Sequence, residues 1–176
     1  DLATGVCTPQ PNLLQARARF AAARLPDGRI VCAGGGDDTT VLSSIEVFEP
    51  PAQGALDTAW AWREMPAMSV ARAGCSGCVL SDGNFAVLGG MSYSGIESSC
   101  EALTLRDNER WSPLPPMHDP LDGFACAAVA GCIIVAGRHG LKPTAEVFDA
   151  VLDQWLQLPC DSPLGGQQYC KSSALL

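Results

Sequence analysis

Three short apolar runs ending at glycine punctuate the chain: Ile30-Val31-Cys32-Ala33-Gly34-Gly35, Phe85-Ala86-Val87-Leu88-Gly89-Gly90 and Ile133-Ile134-Val135-Ala136-Gly137-Arg138. Apolar runs of this length bounded by glycine predict buried strands. A second, alternating stretch follows each: Ser43-Ser44-Ile45-Glu46-Val47-Phe48, Ser98-Ser99-Cys100-Glu101-Ala102-Leu103 and Pro143-Thr144-Ala145-Glu146-Val147-Phe148. A tryptophan-led piece comes next, as Trp62-Arg63-Glu64-Met65-Pro66-Ala67-Met68, Trp111-Ser112-Pro113-Leu114-Pro115-Pro116-Met117 and Trp155-Leu156-Gln157-Leu158-Pro159. Ahead of each glycine strand lies a run of small side chains: Ala21-Ala22-Ala23, Gly74-Cys75-Ser76-Gly77-Cys78 and Ala125-Cys126-Ala127-Ala128. Turn signals at Pro26-Asp27-Gly28, Ser81-Asp82-Gly83 and Ala130-Gly131 join these runs to the glycine strands, with glycine supplying the positive φ of a tight hairpin.

Each unit therefore holds four strand-sized pieces, and self-similarity of this kind decides the architecture. Two hairpins per unit make a four-stranded antiparallel blade. One such blade cannot bury both faces, so the blades stack radially, small residues crowd the axis, and Trp and Phe fill the outer wedge. The predicted fold is all-β, a β-propeller with three complete blades and part of a fourth. Residues 1–16 are expected to be an N-terminal segment or the end of a preceding blade. Blades follow over 17–70, 71–119 and 120–160, and 161–176 starts a fourth, with Gln167 to Leu175 as its inner strand. Propellers have about 4 to 8 blades, so the expectation is a longer, six-bladed native chain, or an arc completed by missing blades or a second chain.

A hydrophobic strand ending in Gly-Gly, then an aromatic, then Trp, resembles the kelch repeat. The third unit is most similar, with Glu146-Val147-Phe148-Asp149 leading to Asp153-Gln154-Trp155. Departures are Phe48 and Phe148 where the family often has Tyr, Leu103 with no aromatic, and Arg138 for the second glycine. The resemblance implies a non-catalytic protein-interaction role, as an adaptor for ubiquitin ligation, a cytoskeletal binder or a scaffold subunit, with no cofactor. Its alternative is a kelch-type copper radical oxidase. Such enzymes use tyrosines, histidines and a cysteine, and the tyrosines here are Tyr93 and Tyr169 with most ligands necessarily outside this stretch. The Glu-x3-Asp-x3-His pattern of iron-dependent plant kelch proteins is missing, and Ser81-Asp82-Gly83 breaks the spacing of the sialidase box.

Composition narrows the partners. With 47% hydrophobic and 17% charged residues the chain folds. A net charge of −8 disfavours nucleic acid and anionic membranes. The longest weakly polar run, 124–137, falls short of the roughly 18 residues of a membrane-spanning helix. Asp1 opens the chain without Met or a leader pattern, so something upstream is expected to have been removed or left out. Nine cysteines leave at least one unpaired, and together with the lack of an Asn-x-Ser/Thr sequon they favour free thiols in a reducing intracellular compartment.

Positions repeated in every unit are framework: Gly34, Gly35, Gly89, Gly90 and Gly137; Glu46, Glu101 and Glu146, bonding backbone donors or facing solvent; and Trp62, Trp111 and Trp155, packed in the core. Cys75-x-x-Cys78 lacks the second ligand pair that zinc needs, and Cys126 reads as lying at the register of Cys78, so no metal site is expected. No catalytic residue stands out. Chain direction places the loop after each glycine strand and the connector after each Trp strand on one face, where the segments differ in chemistry. The partner-binding candidates there are Asp37, Asp38, Tyr93, Arg138 and His139 in loops and Arg72 and His118 in connectors. Trp60, in the insertion 49–61 on the opposite face, is a further candidate anchor for a neighbouring subunit.

Overall fold

The computed structural model describes residues 3–37, 39–52, 59–106 and 108–159. Among these every regular element is a strand. Blade one comprises β1 (Ala21–Arg24), β2 (Ile30–Ala33), β3 (Ile45–Glu49) and β4 (Ala61–Met65), in that order across an antiparallel sheet. Blade two is β5 (Ser76–Val79), β6 (Phe85–Leu88), β9 (Cys100–Thr104) and β10 (Arg110–Leu114). Its glycine loop carries a small separate ribbon that the sequence pattern did not predict, β7 (Met91–Ser92) with β8 (Gly95–Ile96). Blade three is β11 (Ala125–Val129), β12 (Cys132–His139), β13 (Lys142–Asp149) and β14 (Gln154–Leu158). The expected fourth-blade strand lies outside the described residues. No helix of the described residues is long and apolar enough to cross a membrane.

Period-2 alternation sends the two faces of each blade into different seams. Val31, Ala33, Ile45 and Val47 of blade one meet Phe85, Val87 and Leu103 of blade two. The other face of blade two, with Cys78, Ala86, Leu88 and Cys100, meets Ile133, Val135, Phe148 and Trp155 of blade three. The inner hairpins turn as their Asp-Gly pairs demand. Gly28 and Gly83 sit at φ +94 and +87, and Asp27 and Asp82 accept the N–H groups of Arg29 and Asn84. The tryptophans tie blades at the rim: the indole N–H of Trp62, Trp111 and Trp155 donates to the carbonyls of Pro11, Pro66 and Pro115 at 3.0, 2.7 and 2.8 Å. Pro11 thus stands before blade one as Pro66 and Pro115 stand before blades two and three.

The Gly-Gly corners exist because the next connector rests on them. Gly34, Gly35, Gly89 and Gly90 all have left-handed φ. A Cβ on Gly34 would lie 2.4 Å from the Arg72 carbonyl oxygen, and one on Gly89 would lie 2.5 Å from that of Leu121. Gly35 and Gly90 then donate their N–H groups to those same two carbonyls, at 2.8 and 2.7 Å. Blade three lacks this corner. With Arg138 in the second glycine position, β12 and β13 stay paired through Arg138↔Pro143 and His139↔Lys142. Arg138 and His139, expected in a loop, therefore lie at the end of a strand.

A second difference concerns register. Gly77 pairs with Val87, which pairs with Glu101; Cys126 pairs with Val135, which pairs with Glu146. Cys126 is thus the counterpart of Gly77, not of Cys78, and the one-residue shift reverses the face it presents.

The far face of blade three carries Ala125, Ala127, Val129, Ile134, Ala145, Val147, Leu156 and Leu158, with Ile134, Leu156 and Leu158 about two-fifths exposed. The equivalent positions of blades one and two include the buried Ile45, Val47, Cys100 and Ala102.

Gly89→Ala should lose about 2–4 kcal/mol, because it combines a left-handed φ with a backbone collision. Gly83→Ala, at a similar φ with nothing within 4 Å of the new methyl, should lose only about 1 kcal/mol. Urea denaturation of both variants checks the difference, and equal losses would remove the connector from the explanation.

Candidate functional site

The loop face is built on a polar clamp at the entrance of each blade. Glu46, Glu101 and Glu146, on the third strand of each sheet, are buried. A buried carboxylate requires donors, and each finds them in the connector that enters its own blade. Glu46 accepts the N–H groups of Leu14 and Gln15 at 2.6 and 3.1 Å, Glu101 that of Ser69 at 3.0 Å, and Glu146 those of His118 and Asp119 at 2.8 and 2.9 Å.

In blades one and two an arginine completes the clamp. Arg17 donates to the carbonyls of Gly34 and Ser44, to the Ser44 hydroxyl and to Glu46. Arg72 repeats the pattern on Gly89, Ser99 and Glu101. Both ion pairs are nearly sealed from solvent, with N–O separations of 2.6 and 3.1 Å. Arg72, proposed from the sequence as a partner contact, is instead 1% exposed and spends its guanidinium inside the fold. The equal intervals separating Arg17 from Arg72, Glu46 from Glu101 and Gly34 from Gly89 were the available signal. Leu121 takes the arginine position in blade three, so Glu146 meets the half-exposed His118 ring instead, Nδ1 to Oε2 at 2.9 Å.

Above the clamps the loops meet one another. Tyr93, at the tip of the β7–β8 ribbon and 74% exposed, accepts the Val41 N–H of blade one through its hydroxyl at 3.0 Å. The exposed Asp37 holds its own loop, accepting from the N–H and hydroxyl groups of both Thr39 and Thr40. Those bonds, led by the Thr39 N–H, keep its carboxyl well below the usual range. Asp38 lies outside the described residues.

On blade three, Asp119 ties the connector to the long hairpin. It accepts from the Thr144 hydroxyl at 2.7 Å and lies 3.2 Å from His139 Nδ1; the Thr144 hydroxyl first, then His139, lowers its pKa. The exposed Arg138 donates to the Leu141 carbonyl at 2.6 Å. One face therefore gathers Asp37, Tyr93, His118, Arg138 and His139. Trp60 lies apart on the β3–β4 connection, packed on Phe48 with ring centroids 5.4 Å apart. Phe48 also packs on Trp62, and Phe148 on Trp155, at 5.1 and 5.3 Å.

Four cysteines, Cys75, Cys78, Cys100 and Cys126, pack in the seams. Cys75 and Cys78 lie in different core clusters, and burial pushes Cys32 up to about 11 and Cys100 up to about 12. Among the described residues no group of three or more His, Cys, Asp or Glu is placed to hold a metal ion.

An F-box/kelch-repeat protein of Arabidopsis thaliana is 39% identical over 56 residues, 29% of this chain and 15% of its own length. Kelch-like protein 11 of Homo sapiens is 36% identical over 72 residues, 39% of this chain and 10% of its own. The repeats are kelch-like. The kelch blades also resemble the solved structure titled YjhT, with a TM-score of 0.68 at 15% identity, over 88% of this chain and 53% of that one. No protein-family model matches. The chain spans about a seventh and a tenth of the two curated relatives and about half of the solved structure.

Arg72→Leu should cost about 3–5 kcal/mol by leaving the Glu101 carboxylate buried without its cation. Adding Glu101→Gln should recover a substantial part. A double-mutant cycle by chemical denaturation checks this, and strict additivity would contradict the clamp.

Proposed function

We propose that these kelch blades are a non-catalytic protein-interaction module, an adaptor or scaffold subunit of a larger complex that engages its partner through the loop face. The carrying observation is Tyr93: its ring stands in solvent while its hydroxyl is fixed to the backbone of the neighbouring blade. A large, rigid amphipathic side chain of this kind binds at low entropic cost, and Tyr and Arg are enriched among binding hot spots. Arg138 and His139 on the blade-three hairpin, with Asp37 across the face, supply charge of both signs around it. The names of the curated relatives, F-box/kelch-repeat and kelch-like, support an interaction role. The apolar far face of blade three is read as the seat of further kelch blades, because the same positions in blades one and two are covered by the next blade.

Tyr93→Ala combined with Arg138→Ala should reduce partner recovery at least tenfold, a loss of about 1.4 kcal/mol or more, with an unchanged melting temperature. Quantitative affinity capture and mass spectrometry, comparing parent and double variant, checks this. Unchanged recovery would move the contact to the opposite face or the rim.

A further inference from the structure

The register shift at Cys126 brings two thiols together across the seam between blades two and three. Cys78 on β5 and Cys126 on β11 belong to neighbouring inner strands, and both pack into the same apolar cluster. The Cys126 thiol donates to the carbonyl of Gly77, the residue next to Cys78, at 3.4 Å, and the two thiols perturb each other's titration. Beside them the Ser76 hydroxyl of β5 donates to the Phe124 carbonyl, next to β11, at 2.6 Å. Cys78 is 7% exposed, whereas Cys126 is only partly buried.

We propose that Cys78 and Cys126 form a hydroperoxide-sensitive dithiol that closes to a disulfide joining the inner strands of blades two and three. The environment assigns the order of events. Cys126 is the more exposed of the two and its pKa is lowered by its neighbour Cys78, whereas Cys126 and burial raise Cys78. The thiolate is the reactive species, so Cys126 is attacked first. Its sulfur displaces hydroxide from hydrogen peroxide to give a sulfenic acid. The Cys78 sulfur then attacks that sulfenic sulfur, the S–O bond breaks, and water leaves with the Cys78 proton. In total two thiols and one peroxide give one disulfide and two waters. Cys100 packs in the same cluster but two strands away on β9, and Cys75, the nearest in sequence to Cys78, lies in the opposite seam.

The test treats the folded chain with hydrogen peroxide, alkylates it under denaturing conditions and maps tryptic peptides. The expected product joins peptide 73–106 to peptide 111–138, two hydrogens lighter than the sum of the two, and disappears with dithiothreitol. Fragment spectra should place the link on Cys78 and Cys126. In Cys78→Ala the link should be lost and dimedone should trap a sulfenic acid on Cys126; in Cys126→Ala both should be lost. Retention of both thiols in the parent chain, or a link through Cys75, Cys100 or Cys132 instead, would overturn the proposal, and the mapping of the parent chain does not depend on how the variants fold.

Discussion

The connector between blades is gripped from both sides, and the geometry of the arc depends on that grip. Arg72 shows it in one residue. Its carbonyl oxygen accepts the Gly35 N–H of blade one, while its guanidinium donates to Gly89, Ser99 and Glu101 of blade two. The backbone can approach Gly34 only because no Cβ stands there, and the guanidinium can be buried only because a carboxylate and two carbonyls await it. Removing either side would release the connector from one blade while leaving it attached to the other.

Blade three separates the essential part of this device from the optional part. Leu121 replaces the arginine, yet Glu146 remains buried, still holds two connector N–H groups, and Leu121 still accepts the Gly90 N–H. The carboxylate and the backbone donors suffice to fix the connector. The arginine adds charge balance and bonds to the glycine corner, and where it is absent the side chain joins the apolar seam. A partly exposed histidine then faces the acid, which places a polar ring on the loop face where blades one and two present none in register.

Much of the fold was legible because its signals are local and repeated. The glycine-ended strand and the tryptophan recur three times and the Gly-Gly corner twice, each for a local physical reason. The site was less legible. A single arginine in a connector reads as surface, and only its interval to Arg17, matched against the glutamates, marks Arg72 as internal. The strand character of Arg138 and His139 follows from losing a glycine that would have turned the chain, a consequence visible only once the pairing with Pro143 and Lys142 is known. The register of Cys126 was misread because small residues surround it on both sides, so composition cannot tell which of two faces it takes.

Repetition and its interruption divide the labour of the molecule. The residues that recur keep one role in every blade: Glu46, Glu101 and Glu146 accept N–H groups of the connector, and Trp62, Trp111 and Trp155 donate to a proline carbonyl. The residues that do not recur, Tyr93, Arg138 and His139, stand exposed on the loop face, and of these Tyr93 touches the neighbouring blade only through its hydroxyl. A rigid seam therefore supports a variable surface, and variation in the loops leaves the clamps below untouched. The far face of blade three obeys the same logic: Leu156 stands where blade one has Arg63 and blade two Ser112, so an apolar residue occupies the rim of that face and extends it outward. Apolar patches of this breadth mark interaction surfaces, and on blades one and two the equivalent face is covered by Cys75, Phe85, Val87 and Leu103 of blade two and by Ile133, Val135, Phe148 and Trp155 of blade three.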